Sequence, residues 1–162
     1  MNRTTQLVVT IALALSAFSV TVPEANAATL RSAAMASAKT QKGAKYNYGA
    51  EGGYSRGYDC SGLTYWAYKK HGKKLPRTAQ GQYNKAKKIS AKSRRAGDLI
   101  FIHDRYNYNR VSHVGIFTGV RKGKGYILNA NSGRTTRHIV GEWPVTNYTA
   151  GYRYYATYGR IS

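Results

Sequence analysis

Residues 97–130 read GDLIFIHDRYNYNRVSHVGIFTGVRKGKGYILNA, and this stretch decides the fold. Leu99-Ile100-Phe101-Ile102 is an apolar run of strand length. Val111-Ser112-His113-Val114-Gly115-Ile116-Phe117-Thr118 is a second. Gly119 to Gly125 holds three cations and three glycines and reads as a turn. Tyr126-Ile127-Leu128-Asn129-Ala130 then returns as a third strand. Residues 137–140 and 151–158 supply two more. The second half of the chain is a set of short strands joined by short turns.

Upstream the pattern changes. Residues 29–42 are Ala- and Ser-rich, with Leu30, Ala33, Ala34 and Ala38 along one weak apolar face, and predict a short helix. Gly43 to Gly57 has no period and reads as a loop. Ser61 to Lys70 predicts a second helix, because Leu63, Trp66, Ala67 and Lys70 fall at i, i+3, i+4 and i+7. Asp59 and Ser61 both suit its N-cap. Lys69, Lys70 and His71 suit its C-terminal dipole, and Gly72 closes it. A third helix is predicted between Thr78 and Lys88. Helices first and strands afterwards give an α+β domain, with N-terminal helices packed on a small antiparallel sheet.

The first 27 residues read as a signal peptide. Arg3 is the positive n-region, Leu7 to Val20 is apolar apart from Thr10, Ser16 and Ser19, and Ala25-Asn26-Ala27 fits a small-x-small cleavage site. The apolar run is short for a membrane span. Residues 28–162 are then one exported domain with a single core and no transmembrane segment.

The charge balance is extreme, with 26 Lys and Arg against 6 Asp and Glu, a net of +20. Such a field draws a protein to polyanions. Outside a cell these are anionic wall polymers and lipid head groups, so no nucleic-acid partner is expected. The charge serves either adhesion to the wall or solubility alone.

Cys60 is the one cysteine of the chain. It has no partner for an internal disulfide, so it is a buried side chain or a thiol kept for chemistry. Its position at a helix N-terminus favours chemistry, because the helix dipole stabilises the nucleophilic thiolate. Asp59 opposes this by Coulomb repulsion unless its carboxylate is turned to a cap or a substrate. A thiolate also needs a base. Of four histidines, His113 is favoured because a strand holds an imidazole rigidly across from a helix end. His103, beside Asp104, is the rival; His71 reads as solvated, and His138 lies in an Arg/Thr segment. An imidazole base needs a third group to orient it. Asn129, an amide in the apolar run Ile127 to Ala130, fits that part, with Asn131 as its rival. One cysteine and scattered histidines offer no zinc spacing, and no metal or cofactor is expected.

Four blocks in order carry a resemblance: Tyr58-Asp59-Cys60-Ser61-Gly62-Leu63, Leu75-Pro76-Arg77-Thr78-Ala79-Gln80, Ala96-Gly97-Asp98-Leu99-Ile100-Phe101 and Ser112-His113-Val114-Gly115-Ile116-Phe117. Together, over roughly residues 30–135, they resemble the NlpC-like cell-wall cysteine peptidases. The resemblance implies a papain-like core and cleavage of peptidoglycan stem peptides, typically between D-γ-glutamyl and a diamino acid. It implies Cys60 as nucleophile, His113 as general base and acid, and Asn129 as the orienting residue, at a position often held by histidine. It further implies that Asp59 and Ser61 hold the free amine of a stem peptide and that Tyr46 contacts substrate. Arg77 matches the family arginine, in a binding or a structural role. The chain departs from the pattern in its basic charge, in the lack of a recognisable wall-binding repeat, and in a longer Tyr/Arg loop at Asp104 to Arg110.

The expected function is thus a secreted, wall-located cysteine endopeptidase of peptidoglycan. Acyl transfer or amidase chemistry would use the same residues. A non-catalytic basic wall-binding or antimicrobial protein would keep Cys60 only as a small buried side chain, and a toxin acting on another cell is a third class.

Overall fold

Helices come first and strands follow, in a computed structural model that describes residues 22–131, 133 and 138–162. The elements are α1 (Val22–Lys39), α2 (Cys60–Lys69), α3 (Ala79–Lys85), β1 (Lys87–Ile89), β2 (Leu99–Asp104), β3 (Arg110–Arg121), β4 (Lys124–Asn131), β5 (Ile139–Pro144), α4 (Thr146–Thr149) and β6 (Tyr154–Arg160). A 3-10 turn at Ala91–Ser93 joins β1 to β2. The strands form one antiparallel sheet in the order β1-β6-β2-β3-β4-β5. This is the expected α+β arrangement.

The sheet is covered on both faces, which is why β2 reads as an unbroken apolar run rather than an alternating one. Leu99 and Phe101 join Val114, Ile116, Leu128, Ala130 and Val140 in the larger core, against Ala34 and Ala38 of α1 and Leu63, Ala67 and Tyr68 of α2. Ile100 and Ile102 belong to a second cluster with Phe117, Ile127 and Val145, flanked by Tyr148, Tyr154, Ala156 and Tyr158. Each fully buried Leu, Ile or Phe contributes about 1.5–3 kcal/mol. These two layers replace the disulfides that the chain lacks.

Four expectations are corrected. The first helix begins before residue 29 and ends at Lys39. Its opening turns include Ala25-Asn26-Ala27, while residues 1–21 of the expected leader lie outside the described residues. The third helix stops at Lys85, because Lys87, Lys88 and Ile89 pair with Arg160, Gly159 and Tyr158. Tertiary pairing there overrides local helix propensity. The turn at 119–125 is shorter than expected. β3 continues to Arg121, β4 starts at Lys124, and Lys122 and Gly123, both at positive φ, make the reversal. The last two strands lie at Ile139–Pro144 and Tyr154–Arg160, downstream of their expected places.

A buried charge cluster ties the first helix to the sheet. Asp98 is fully buried and Arg31 of α1 is 2 % exposed, with Nε 3.3 Å from the Asp98 carboxylate. Arg160 of β6 donates to the same carboxylate through Nε and an NH2 group, each at 2.9 Å. The Arg95 backbone N–H donates to it at 2.7 Å. Gly97, at φ +93°, leaves no room for a side chain, since a Cβ there would come within 2.7 Å of the Arg31 carbonyl oxygen. The Gly97-Asp98 pair therefore exists to let α1 lie against the sheet.

Candidate active site

Cys60 is the first residue of α2, and Asp59 caps the helix by accepting the Gly62 N–H at 2.6 Å. The following glycine is required by geometry. A Cβ on Gly62 would come within 2.0 Å of the Ala50 carbonyl oxygen, so the loop that precedes Cys60 packs directly on its helix. The Cys60 N–H is among the first-turn donors that a helix cannot satisfy itself, and it points the positive end of the dipole at whatever sits beside the sulfur.

Asp59 does more than cap. Its carboxylate also accepts the Gly49 N–H at 3.0 Å and the Ser61 hydroxyl at 3.3 Å. Arg77 grips it with two guanidinium nitrogens at 2.9 and 2.7 Å. Arg77 also donates to the Ser61 Oγ at 3.1 Å and the Ala50 carbonyl at 3.2 Å, and lies 3.1 Å from Glu51. Asp59, Ser61 and Arg77 thus form one cluster against the helix start. The guanidinium offsets part of the carboxylate's charge, but Asp59 still opposes a thiolate at Cys60. The five donors occupy the Asp59 lone pairs, so a substrate amine reaches it only by displacing one of them.

His113 is delivered from the opposite side by β3. Ile102 of β2 pairs with His113, but His103 pairs with Val111, so Ser112 is a bulge residue. Its hydroxyl donates to the Ile102 carbonyl at 3.2 Å. Bulges of this kind re-aim a neighbouring side chain. The backbone of Val114, the next residue along, acts on the Cys60 sulfur, which places Cys60 against this part of β3. Burial pushes the Cys60 thiol up, and the amides of Val114 and Ser61 oppose this, while Asp59 adds to it. Burial pushes His113 down to about 4, against upward contributions from Asn129 and the Asp59 carboxylate. The resting pair is therefore a neutral thiol and a neutral imidazole.

Asn129 lies fully buried on β4, close enough to raise the proton affinity of the imidazole. Gly115, the residue of β3 beside it, has no side chain, and a Cβ there would stand 2.8 Å from the Asn129 Cβ. Yet Nε2 of His113 has no hydrogen-bond partner among the described residues. The Asn129 amide spends its bonds elsewhere, with Nδ2 donating to the Tyr148 hydroxyl at 2.9 Å and Oδ1 accepting from it at 3.2 Å. Asn131, the rival, also donates to Tyr148 at 2.9 Å and holds the Gly133 N–H. Asn129 is the one that acts on the imidazole.

The other histidines separate cleanly. His103 is used at both ring nitrogens, by the Asn109 carbonyl and the Thr157 hydroxyl, each at 2.8 Å, and its ring stacks on Tyr155. It is a structural residue. His71 bonds Ser37 at 2.9 Å on the surface, and His138 is exposed. Tyr46 is half-buried, bridged to Tyr58 just before Asp59, with its N–H on the His138 carbonyl. It therefore sits beside the segment that leads into Cys60.

Tyr148 is the residue that the sequence reading missed. It sits in α4, stacks on His113 and bonds both candidate amides. With Ile102, Ser112, Asn147 and Tyr154 it lines a cavity of about 350 Å³ beside the imidazole. A four-residue helix leaves no periodicity to find, and Tyr148 was one tyrosine among 15.

Comparison with known proteins finds relatives in sequence and in fold. The family model described as the NlpC/P60 family matches residues 43–154. A bifunctional muramidase/DL-endopeptidase of Bacillus subtilis is 47% identical over 75 residues, 46% of this chain and 22% of that protein. A probable endopeptidase of Corynebacterium glutamicum is 38% identical over 95 residues, 59% of this chain and 42% of that protein. The structure of the peptidoglycan hydrolase RipB from Mycobacterium tuberculosis superposes with a TM-score of 0.67 at 26% identity, covering 86% of this chain and 68% of that one. The α+β sheet is therefore the papain-like fold of these domains. The chain spans about a fifth and two fifths of the length of the two sequence relatives.

Proposed function

The chain belongs to the NlpC/P60 family, and from that premise we propose that it is a cysteine endopeptidase of peptidoglycan stem peptides, acting at the D-γ-glutamyl–diamino acid bond. The observation that carries the reading is the placement of Cys60 at the α2 N-terminus against the β3 segment of His113, with Asn129 behind the imidazole.

In this reading His113 takes the Cys60 proton as substrate displaces water, and the thiolate attacks the scissile carbonyl. The Cys60 N–H stabilises the oxyanion. The imidazolium returns its proton to the leaving amine, the C–N bond breaks, and a thioester remains. Water attacks the thioester with His113 again as base, releasing the carboxylate and restoring the thiol. Asn129 turns its Oδ1 to the Nε2–H of His113 and holds the ring through both steps. Arg77 fixes Asp59 and Ser61, which set the helix start. Asp59 and Ser61 meet the stem-peptide amine by exchanging one of their internal bonds, and Tyr46 flanks it.

The net charge of +20 supports a location at the wall, where anionic polymers hold the protein by a screened attraction. High salt then releases it from isolated walls, and retention at high salt rules this adhesion out.

The test is mass spectrometry of purified peptidoglycan incubated with the protein, beside a Cys60→Ala control. New stem-peptide fragments from the wild type alone identify the bond. Intact peptidoglycan from several wall chemistries, with binding retained in both proteins, would favour the non-catalytic wall-binding reading.

A further inference from the structure

A second cavity is larger than the one at His113. It is a groove of about 860 Å³ between the loop at 47–56 and the outer face of α2. Trp66 is half-buried in its lining, fixed edge-on against Tyr58 with ring centroids 5.6 Å apart. Arg56 and Lys69 also line it. The acid in the lining, Glu51, is engaged by Arg77 at 3.1 Å. The loop wall is glycine-rich, with Gly49 and Gly53 at positive φ, and it is held by its own bonds: Arg56 donates to the Gly52 carbonyl at 3.0 Å and the Gly57 N–H to the Gly53 carbonyl at 3.0 Å.

The groove and the nucleophile share a wall. The Gly49 N–H donates to Asp59, and the Ala50 carbonyl accepts from both the Asp59 N–H and Arg77. Trp66 stands six residues beyond Cys60 on α2, about 9 Å along the helix axis. A polymer lying in the groove would thus pass within one or two sugar units of the helix start.

We propose that this groove is a second binding site, for an acidic saccharide: a glycan strand bearing free lactyl carboxylates where stem peptides have been removed. The flat indole takes the apolar face of a sugar ring. Arg56 and Lys69 take the carboxylate, exchanging for it their contacts with the Gly52 carbonyl and the Tyr65 ring. A neutral sugar would bring the two exposed cations no counter-charge, and a plain anion would leave the indole unused. The proposal rests on the wall-directed reading above only for the source of the glycan, and its readout is binding, not cleavage.

The experiment uses the full protein carrying Cys60→Ala, so that nothing is hydrolysed. Glycan strands stripped of stem peptides by an amidase are titrated by calorimetry, against chitotetraose and a phosphate-bearing wall teichoic acid. The expected result is binding of the stripped strands, weakened tenfold or more by Trp66→Ala and by the pair Arg56→Glu with Lys69→Glu, and largely kept by Trp66→Phe. The surface pair guards against misfolding, since both side chains stand at the rim. Equal affinity in all variants overturns the proposal. So does chitotetraose binding as tightly as the stripped strands, or a response to teichoic acid alone. Failure of the peptidoglycan cleavage assay with glycan binding retained would sink the enzymatic reading and leave this site standing.

Discussion

The phenol ring of Tyr148 lies flat against the imidazole of His113, with centroids 5.3 Å apart and planes 13° from parallel. The same residue holds Asn129 and Asn131 through its hydroxyl. One side chain therefore keeps water from the imidazole face and sets the amide that is to orient it. Burial pushes its own phenol up to about 12, with the two amides opposing, so it stays protonated throughout the working range.

Replacing Tyr148 should separate these two roles. Tyr148→Ala uncovers the imidazole, and its pKa, read by NMR, should rise toward the ordinary value near 6.5. The loss of positioning should lower kcat/KM by about a hundredfold. Tyr148→Phe keeps the stack, so the imidazole pKa should stay low, with a smaller loss of rate. An unmoved imidazole pKa in Tyr148→Ala would show that the ring does not shield His113.

The acid side of the pH–rate profile should be displaced. His113 must be neutral to accept the Cys60 proton, and burial brings it down to about 4. The acid limb of kcat/KM should then lie near 4, not near 6.5. Stability follows the same group. Between pH 6.5 and 4 the unfolded chain binds a proton at this residue and the folded chain does not, so stability should fall as pH drops through that window. His113→Asn should flatten the dependence in urea titrations at pH 7, 5.5 and 4. A wild-type acid limb at 6.5 would count against the neutral resting pair.

The charge on Asp59 should tune the thiol. Asp59 raises the Cys60 pKa, and Arg77 offsets part of the Asp59 charge. Arg77→Met should slow alkylation of Cys60 at pH 7, and Asp59→Asn should speed it, by up to about tenfold for one pKa unit. Equal rates across the three proteins would mean that the cluster acts only as scaffold.

Asp98 should be among the costliest positions to change. Asp98→Ala removes the buried carboxylate that Arg31 and Arg160 share, a loss of about 3–5 kcal/mol. Arg31→Met in the same chain should recover part of it, in chemical denaturation. If the double variant is no better than the single one, the burden lies with Arg160 instead.

The parts that were legible in the sequence are those where local pattern and tertiary demand agree. Leu99 to Ile102 is an apolar run of strand length that the sheet buries on both faces, and Cys60 follows a capping Asp beside an amphipathic helix. The Asp59-Cys60-Ser61-Gly62 signature is informative because Gly62 answers a steric demand that no other residue meets. Lys87-Lys88-Ile89 carries no strand pattern and becomes one only because β6 pairs with it. Arg31 sits in an Ala-rich helix where a surface role is the default, and its burial is set by Asp98 some 67 positions away. Tyr148 and the groove around Trp66 arise from segments brought together by folding, so neither leaves a mark on its own neighbours in the chain. Trp66 was read as part of the core face of α2, and it stands at the margin of that core, facing the groove.

The place of β6 in the sheet has a consequence for biogenesis. It is the last described strand to leave the ribosome, yet it lies between β1 and β2, in the interior of the sheet. Until residues 154–160 emerge, β2 has an open edge and Asp98 lacks Arg160. The strand that completes the pairing of β2 thus follows Cys60, His113 and Asn129 in the chain. A chain cut before residue 154 would leave β2 unpaired on one side and Asp98 without Arg160, so closure of the sheet waits on a segment far downstream of the residues it steadies.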